Sequence, residues 1–232
     1  MIFWHGVSSD DVYVVVEHYP ARPLPRRKLV TESVPGRSGD IVYVQDAFEN
    51  VQQRYDIYLS AEERRMPFVS RLAAEWLLQP PGYQRLEDSY DPDVFRLAYY
   101  AGGQDVENIL NMFGRATVSF SCKPQRYLKE GERTLAFTAD GVIVNPSLMA
   151  ALPLIRVWGV GTFTVGGTEV TVSQNSDYID LDCELQDAFR GSVNCNGLVQ
   201  LTDFPTLGAG ENEVTLGIGI TRVEITPRWW IL

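Results

Sequence analysis

Asp180, Asp182 and Glu184 are the strongest acidic constellation in the sequence. Set two apart in an extended run, their carboxylates project from one face, as a calcium surface or an acid–base pair would require. Calcium wants about six to eight oxygens converging on a point, whereas a strand spreads its side chains along a line. Ile179, Leu181 and Cys183 fill the alternate positions, so the run reads as a wet strand face opposite a core face. Trp229 and Trp230 are the other conspicuous pair. Neighbours on a strand point to opposite sides, so at most one of the two reaches a core, and the other needs cover from local packing or a partner. They are the candidate interface residues, with sugar stacking as the rival use of exposed rings.

Enzyme chemistry finds little support. His5 and His18 are the only histidines, too few for a multi-histidine metal site. The sequence has no Gly-x-Ser-x-Gly elbow, no phosphate-binding Gly-rich loop ending in Lys-Ser/Thr, and no His-Glu-x-x-His. No catalytic, cofactor-binding or metal-ligating residue is therefore assigned, and the chain reads as a non-enzyme. The cysteines, Cys122, Cys183 and Cys195, are odd in number and lack zinc-type spacing. Cys122 and Cys183 lie in strand-like runs as small hydrophobes. A Cys183–Cys195 disulfide and three thiols both fit the spacing; folding in a reducing cytoplasm favours thiols.

The elements that would position these groups are mostly strands. Val12–Val16 is β-branched and aromatic, a buried strand. Three prolines break the run after it, and Arg22–Lys28 reads as a solvated basic connector. Lys28–Val34 and Ile41–Val44 are extended on either side of the Pro35-Gly36 turn. Val51, Tyr55, Ile57 and Leu59 mark one face of a further strand. One helix is expected near 61–79, with a Ser60/Glu63 capping box, a main body beginning near Pro67, and a stripe of Phe68, Leu72, Trp76 and Leu77. Pro80-Pro81-Gly82 stops it. Strands follow at Val94–Tyr100 and Asn111–Ser121, with Gly102-Gly103 turning between them and Pro124 ending the second.

The last hundred residues are the cleaner β pattern. Gly166-Gly167 sits between Phe163-Thr164-Val165 and Thr168–Val172 as a two-residue hairpin turn, pairing Phe163 with Val170. Val214, Leu216 and Ile218 alternate, as do Val223 and Ile225. Short alternating strands at close spacing imply a two-sheet sandwich. The polar, Gly-containing Lys129–Arg133 stretch lies in a boundary zone, giving expected domains of 1–137 and 138–232.

At 232 residues, 45% hydrophobic and 22% charged, the chain is long enough to bury real cores and is not globally disordered. A net charge of −10 argues against sequence-specific nucleic-acid binding, which draws its affinity from Lys and Arg. The Met1–Val7 start lacks a signal-peptide pattern, and no apolar run approaches the roughly 18 residues of a membrane helix. Cytoplasmic synthesis without membrane association is the expectation.

An ordered series of strings spans nearly the whole chain: Val34-Pro35-Gly36-Arg37-Ser38-Gly39, Phe120–Tyr127, Asn145-Pro146, Pro153–Gly159, Asp182-Cys183-Glu184, Phe204-Pro205-Thr206-Leu207 and Pro227-Arg228-Trp229-Trp230. Together they resemble the distal tail (Dit) family of long-tailed, non-contractile bacteriophages. The resemblance implies a mainly β fold, an N-terminal β-rich domain with one α-helix followed by a galectin-like β-sandwich. It also implies a structural tail-tip and baseplate hub in the virion, made in the host bacterial cytoplasm. Such a hub is a homo-hexamer whose ring lets DNA pass, with a tail-tube protein on one face and a tail-associated hub or receptor-binding protein on the other. No cofactor is implied. The alternative is a lectin-like sandwich that binds cell-wall saccharides.

Overall fold

The computed structural model describes residues 1–100, 102, 114–174 and 177–232, with the side chains of Asp46 and Glu63 left aside. The chain divides into two compact units, Met1–Arg126 with Leu232, and Tyr127–Ile231. The division falls earlier than the expected 137/138 boundary. Leu135–Phe137 pairs with a strand at 223–225, and Gly131 lies against the backbone of Trp229, so residues 127–137 are tied to the second unit.

In the first unit the strands are β1 (Ile2–Trp4), β2 (Val7–Ser8), β3 (Val14–Val16), β4 (Arg27–Glu32), β5 (Ile41–Phe48), β6 (Val51–Leu59), β7 (Gln84–Asp88), β8 (Val94–Tyr99) and β9 (Arg115–Leu128). The main sheet runs β2-β1-β7-β8-β9-β6-β3, while β4 and β5 form a separate two-stranded ribbon. β6 alternates without a break: Val51, Gln53, Tyr55, Ile57 and Leu59 are buried, and the residues between them are exposed. It pairs with β9 from Tyr58↔Arg115 to Val51↔Cys122. Trp4, Tyr55, Ile57, Val118 and Phe120 then pack together with the helix in one core.

Several expectations shift here. Val12 closes a 3-10 turn, Ser9–Val12, and Tyr13 takes φ 60°, so the buried strand begins only at Val14. The α-helix, α1, spans Met66–Leu78 behind a 3-10 turn at Glu63–Arg65. Its N-cap is Arg65, which makes no side-chain capping bond, and Pro67 lies in the first turn, where the expected main body begins; the Glu63 half of the expected capping box lies outside the described side chains. The buried stripe is Val69, Ala73, Trp76 and Leu77; Phe68 is exposed. β9 does not end at Pro124. Its ladder with β6 stops at Cys122, so beyond that point no β6 carbonyl demands the N–H that proline lacks. The Gly103 half of the expected turn and residues 111–113 of the expected strand lie outside the described residues.

The second unit is a two-sheet sandwich. Its strands are β10 (Leu135–Phe137), β11 (Gly141–Asn145), β12 (Leu154–Gly159), β13 (Gly161–Val165), β14 (Thr168–Val172), β15 (Tyr178–Asp182), β16 (Asp187–Arg190), β17 (Val193–Asn194), β18 (Val199–Leu201), β19 (Gly210–Leu216) and β20 (Ile220–Thr226). One sheet is ordered β10-β20-β12-β15-β16-β17, the other β11-β19-β13-β14-β18. The β13–β14 hairpin has the register the sequence predicts, Phe163↔Val170 and Val165↔Thr168. Gly166 and Gly167 have φ 57° and 82°, the left-handed pair a type I′ turn needs. Phe163, Val165, Val170 and Val172 face Ile155, Val157, Ile179 and Leu181 across the core. Ile218 departs from the expected alternation. β19 ends at Leu216, and Ile218 sits fully exposed in the turn to β20.

Candidate functional site

The β4–β5 ribbon carries a run of apolar side chains that neither core covers. Pro35 and Gly36 turn it: the Arg37 N–H donates to the Val34 carbonyl at 3.1 Å, and Gly36 takes φ 82°. That is the geometry of a type II turn with proline first and glycine second. The register sets Leu29 opposite Val44, Val30 opposite Tyr43, and Thr31 opposite Val42. Alternation therefore puts Leu29, Val42 and Val44 on one face and Val30 and Tyr43 on the other. These five residues are 50–57% exposed, so both faces of the ribbon are apolar and wet. At its base, Glu49 N–H donates to the Arg26 carbonyl at 2.8 Å and the Arg27 guanidinium lies 4.7 Å from the Phe48 ring centre. Two isolated strands are marginal in water, and exposed apolar strand edges invite pairing.

The acidic constellation proves to be internally paired. Alternation along β15 places the residues on the faces expected, but Asp180 and Asp182 are only 4% and 6% exposed, not solvated. Arg156 on β12 sits opposite Asp180 and binds it bidentately, Nε to Oδ1 at 2.6 Å and Nη2 to Oδ2 at 2.8 Å. The Arg156 guanidinium also lies 4.2 Å from the Tyr178 ring centre. Asp182 is held in the same way by Arg228, at 2.8 and 2.9 Å. Its Oδ1 accepts the N–H groups of Glu184 and Leu185 at 3.0 and 3.1 Å as well. Burial pushes the Asp182 carboxyl up, but the Arg228 bonds and the two amides outweigh it and hold the group below its usual range. Among the described residues no group of three or more His, Cys, Asp or Glu is placed to hold a metal ion.

The two tryptophans have separate environments. Trp229 is 4% exposed and belongs to the sandwich core, with its backbone against Gly131. A β-carbon at Gly131 would fall 2.3 Å from the Trp229 nitrogen, so only glycine fits there. Trp230 is half-buried, and its indole N–H donates to the Ala150 carbonyl at 2.9 Å.

The other strings that the sequence singles out also meet in pairs. Asn145 donates through Nδ2 to the Met149 and Leu207 carbonyls at 2.9 and 3.0 Å, and accepts the Ser147 N–H at 2.9 Å. Ala151 bridges Leu207. Asn145-Pro146 and Phe204–Leu207 thus pin two loops together, as Asp182 and Arg228 pin two others. These are fold-determining contacts.

All three cysteines are free and buried. Burial pushes the thiols of Cys122 and Cys183 up to about 11 and about 12, which suppresses the reactive thiolate at neutral pH. In the folded protein none of the three should react with a thiol reagent at pH 7. Three should react after denaturation without reductant; a count of one would mean a disulfide instead.

No protein-family model matches the chain, and no curated protein matches it by sequence. Among solved structures, it is similar to the Dit protein (gp 19.1) of phage SPP1, described as a paradigm of the hub adsorption apparatus in phages infecting Gram-positive bacteria. That likeness covers 100% of this chain and 98% of the SPP1 chain, with a TM-score of 0.71 and 15% identity. A chain in the activated baseplate of phage p2 is more distant, with a TM-score of 0.47, 12% identity, and coverage of 91% of this chain and 90% of that one. The fold is that of a Dit protein, mainly β throughout.

Proposed function

We propose that this protein is a structural hub of a phage tail tip. In this reading six copies close into a ring that joins the tail tube to the adhesion apparatus and leaves a passage for DNA. The observation that carries the reading is the fold correspondence with the SPP1 hub protein, which runs the full length of both chains and includes both units. The role asked of the chain is assembly, with no reaction of its own.

The first unit builds the ring and the sandwich hangs outside it. A closed ring uses a head-to-tail interface, in which one surface of a subunit meets a different surface of its neighbour. The β4–β5 ribbon supplies one such surface, since it is apolar on both faces and belongs to neither core. A second copy is the occupant that removes this liability in every subunit at once. Trp230, half-buried at the sandwich surface, is the member of the tryptophan pair with ring area left for a neighbour.

Each copy brings a net charge of −10, so repulsion accumulates as subunits join. Added salt should ease assembly by screening it. A negative inner wall would also let DNA pass without sticking, because no phosphate contacts release counterions. Light scattering across protein and salt concentration, followed by imaging of the large species, should give a six-fold ring. A strict monomer or two-fold dimer under all conditions, with tail-tube or hub partners present as well, would sink the reading.

A further inference from the structure

The segment that leads into the β4–β5 ribbon bows away from β6. Pro23 and Pro25 lack the N–H donors of a ladder, so Ala21–Arg26 cannot join a sheet as a regular strand. It is tied down at both ends: the buried Gln53 donates through Nε2 to the Ala21 carbonyl at 2.9 Å, and the Glu49 N–H donates to the Arg26 carbonyl at 2.8 Å. Between the two ties lies an open groove of about 500 Å³. Ala21, Pro23 and Leu24 give it an apolar side, with Leu24 76% exposed, and Arg26, Glu49 and Arg54 give it charge. Pockets of this size take groups as large as several side chains.

The far end of the ribbon carries the counterpart. Its ladder runs from Arg27↔Phe48 to Glu32↔Ile41, and the turn beyond holds Val34, Pro35 and Arg37. Glu32 and Asp40 flank that turn, one on each arm, and both are exposed, as is Arg37. The groove thus offers two cations and one carboxylate, and the turn offers two carboxylates and one cation. Among the described residues no ion pair uses any of these six groups. From Arg26 to Val34 a strand rise of about 3.3 Å per residue carries the turn about 25 Å from its own groove. A turn that enters the groove must therefore come from another chain.

Resting on the head-to-tail ring proposed above, we infer that this groove receives the ribbon turn of the next copy. Val34 and Pro35 seat on Ala21, Pro23 and Leu24; Glu32 and Asp40 meet Arg26 and Arg54; Arg37 meets Glu49. The contact is heterologous, as ring closure demands, because turn and groove are opposite ends of one element. It also sets a scale. Neighbours displaced by one ribbon length have equivalent points about 25 Å apart, and the side of a hexagon equals its radius. Six copies then stand on a circle of about 25 Å radius, which leaves the centre open.

Charge exchange tests the contact, with ring formation followed by light scattering at one ionic strength where the unaltered chain assembles. Arg26→Glu with Arg54→Glu, and separately Glu32→Lys with Asp40→Lys, should each raise the concentration for half-assembly at least about tenfold, since like charges then face each other. All four changes in one chain should restore it to within about threefold. The turn variant decides most. Each of its two exchanges adds two positive charges, taking the net charge from −10 to −6, which alone would ease assembly, so a weaker ring reports lost pairing. The four positions are exposed, and melting of the subunit should not change. Chains carrying only Leu24→Cys and only Pro35→Cys should cross-link to each other when mixed and oxidised. Rings that form equally well in both charge variants, that the combined variant fails to restore, or that give no mixed cross-link would each overturn this contact and leave the ring standing. An unaltered chain that forms no ring at all would overturn the ring and the contact together.

Discussion

Asp182→Ala should lower the stability of the sandwich by about 3 kcal/mol, since removing one partner of a buried pair leaves the other uncompensated. The change strands the Arg228 guanidinium and the amides of Glu184 and Leu185 together. Arg228 has little freedom to turn elsewhere. It holds φ 58°, and its N–H donates to the Gly131 carbonyl at 2.8 Å, next to the close contact between Gly131 and Trp229. Loss of the pair thus loosens the segment that carries Trp229 into the core. Asp182→Asn keeps the volume and an acceptor for the amides while removing the charge, and should cost about half as much.

The pH dependence has a definite sign. The folded-state pKa of Asp182 lies below its ordinary value of 3.8, so the pair contributes fully above that value. The contribution is lost as pH falls through the depressed folded value. The difference in melting temperature between wild type and Asp182→Asn should therefore be constant near neutrality and shrink below about pH 4. A sandwich melt unchanged by Asp182→Ala would show that the buried pair is energetically idle.

Alternation made much of the fold legible. It placed Val51, Tyr55, Ile57 and Leu59 on the buried face of β6, and the Gly166-Gly167 turn fixed the β13–β14 register. What alternation cannot supply is the identity of whatever covers a face. Asp180 and Asp182 read as solvated because their covers come from elsewhere: Arg156 across the sheet and Arg228 near the C-terminal end. Phe68 failed differently. A helical stripe can be drawn through several registers, and burial chose the one through Val69 and Ala73. The ribbon strands were legible as strands, but their isolation from any sheet is a property of topology.

That isolation gives the sharpest test of how the proposed ring would be held. Replacing Leu29, Val30, Tyr43 and Val44 together by threonine should abolish the proposed ring while leaving the melting of both units unchanged. Threonine keeps the β propensity of the ribbon and its backbone ladder, so the substitutions remove apolar contact area and little else. None of the four residues belongs to either core, and each is at least half exposed in the single chain. The folded subunit should therefore not register their loss. A subunit interface should, because a buried aromatic or aliphatic anchor at its centre is worth about 2 kcal/mol or more, roughly a thirtyfold change in affinity. Every interface in a closed ring carries the same loss, so the effect multiplies around the circle. The face that makes the contact can then be read from half-variants. Leu29→Thr with Val44→Thr alters one side, and Val30→Thr with Tyr43→Thr alters the other. A ring of undiminished stability in the fourfold variant would remove the ribbon from the interface. A fall in the melting of the first unit matching the loss of the ring would instead make the ribbon part of that unit's own fold.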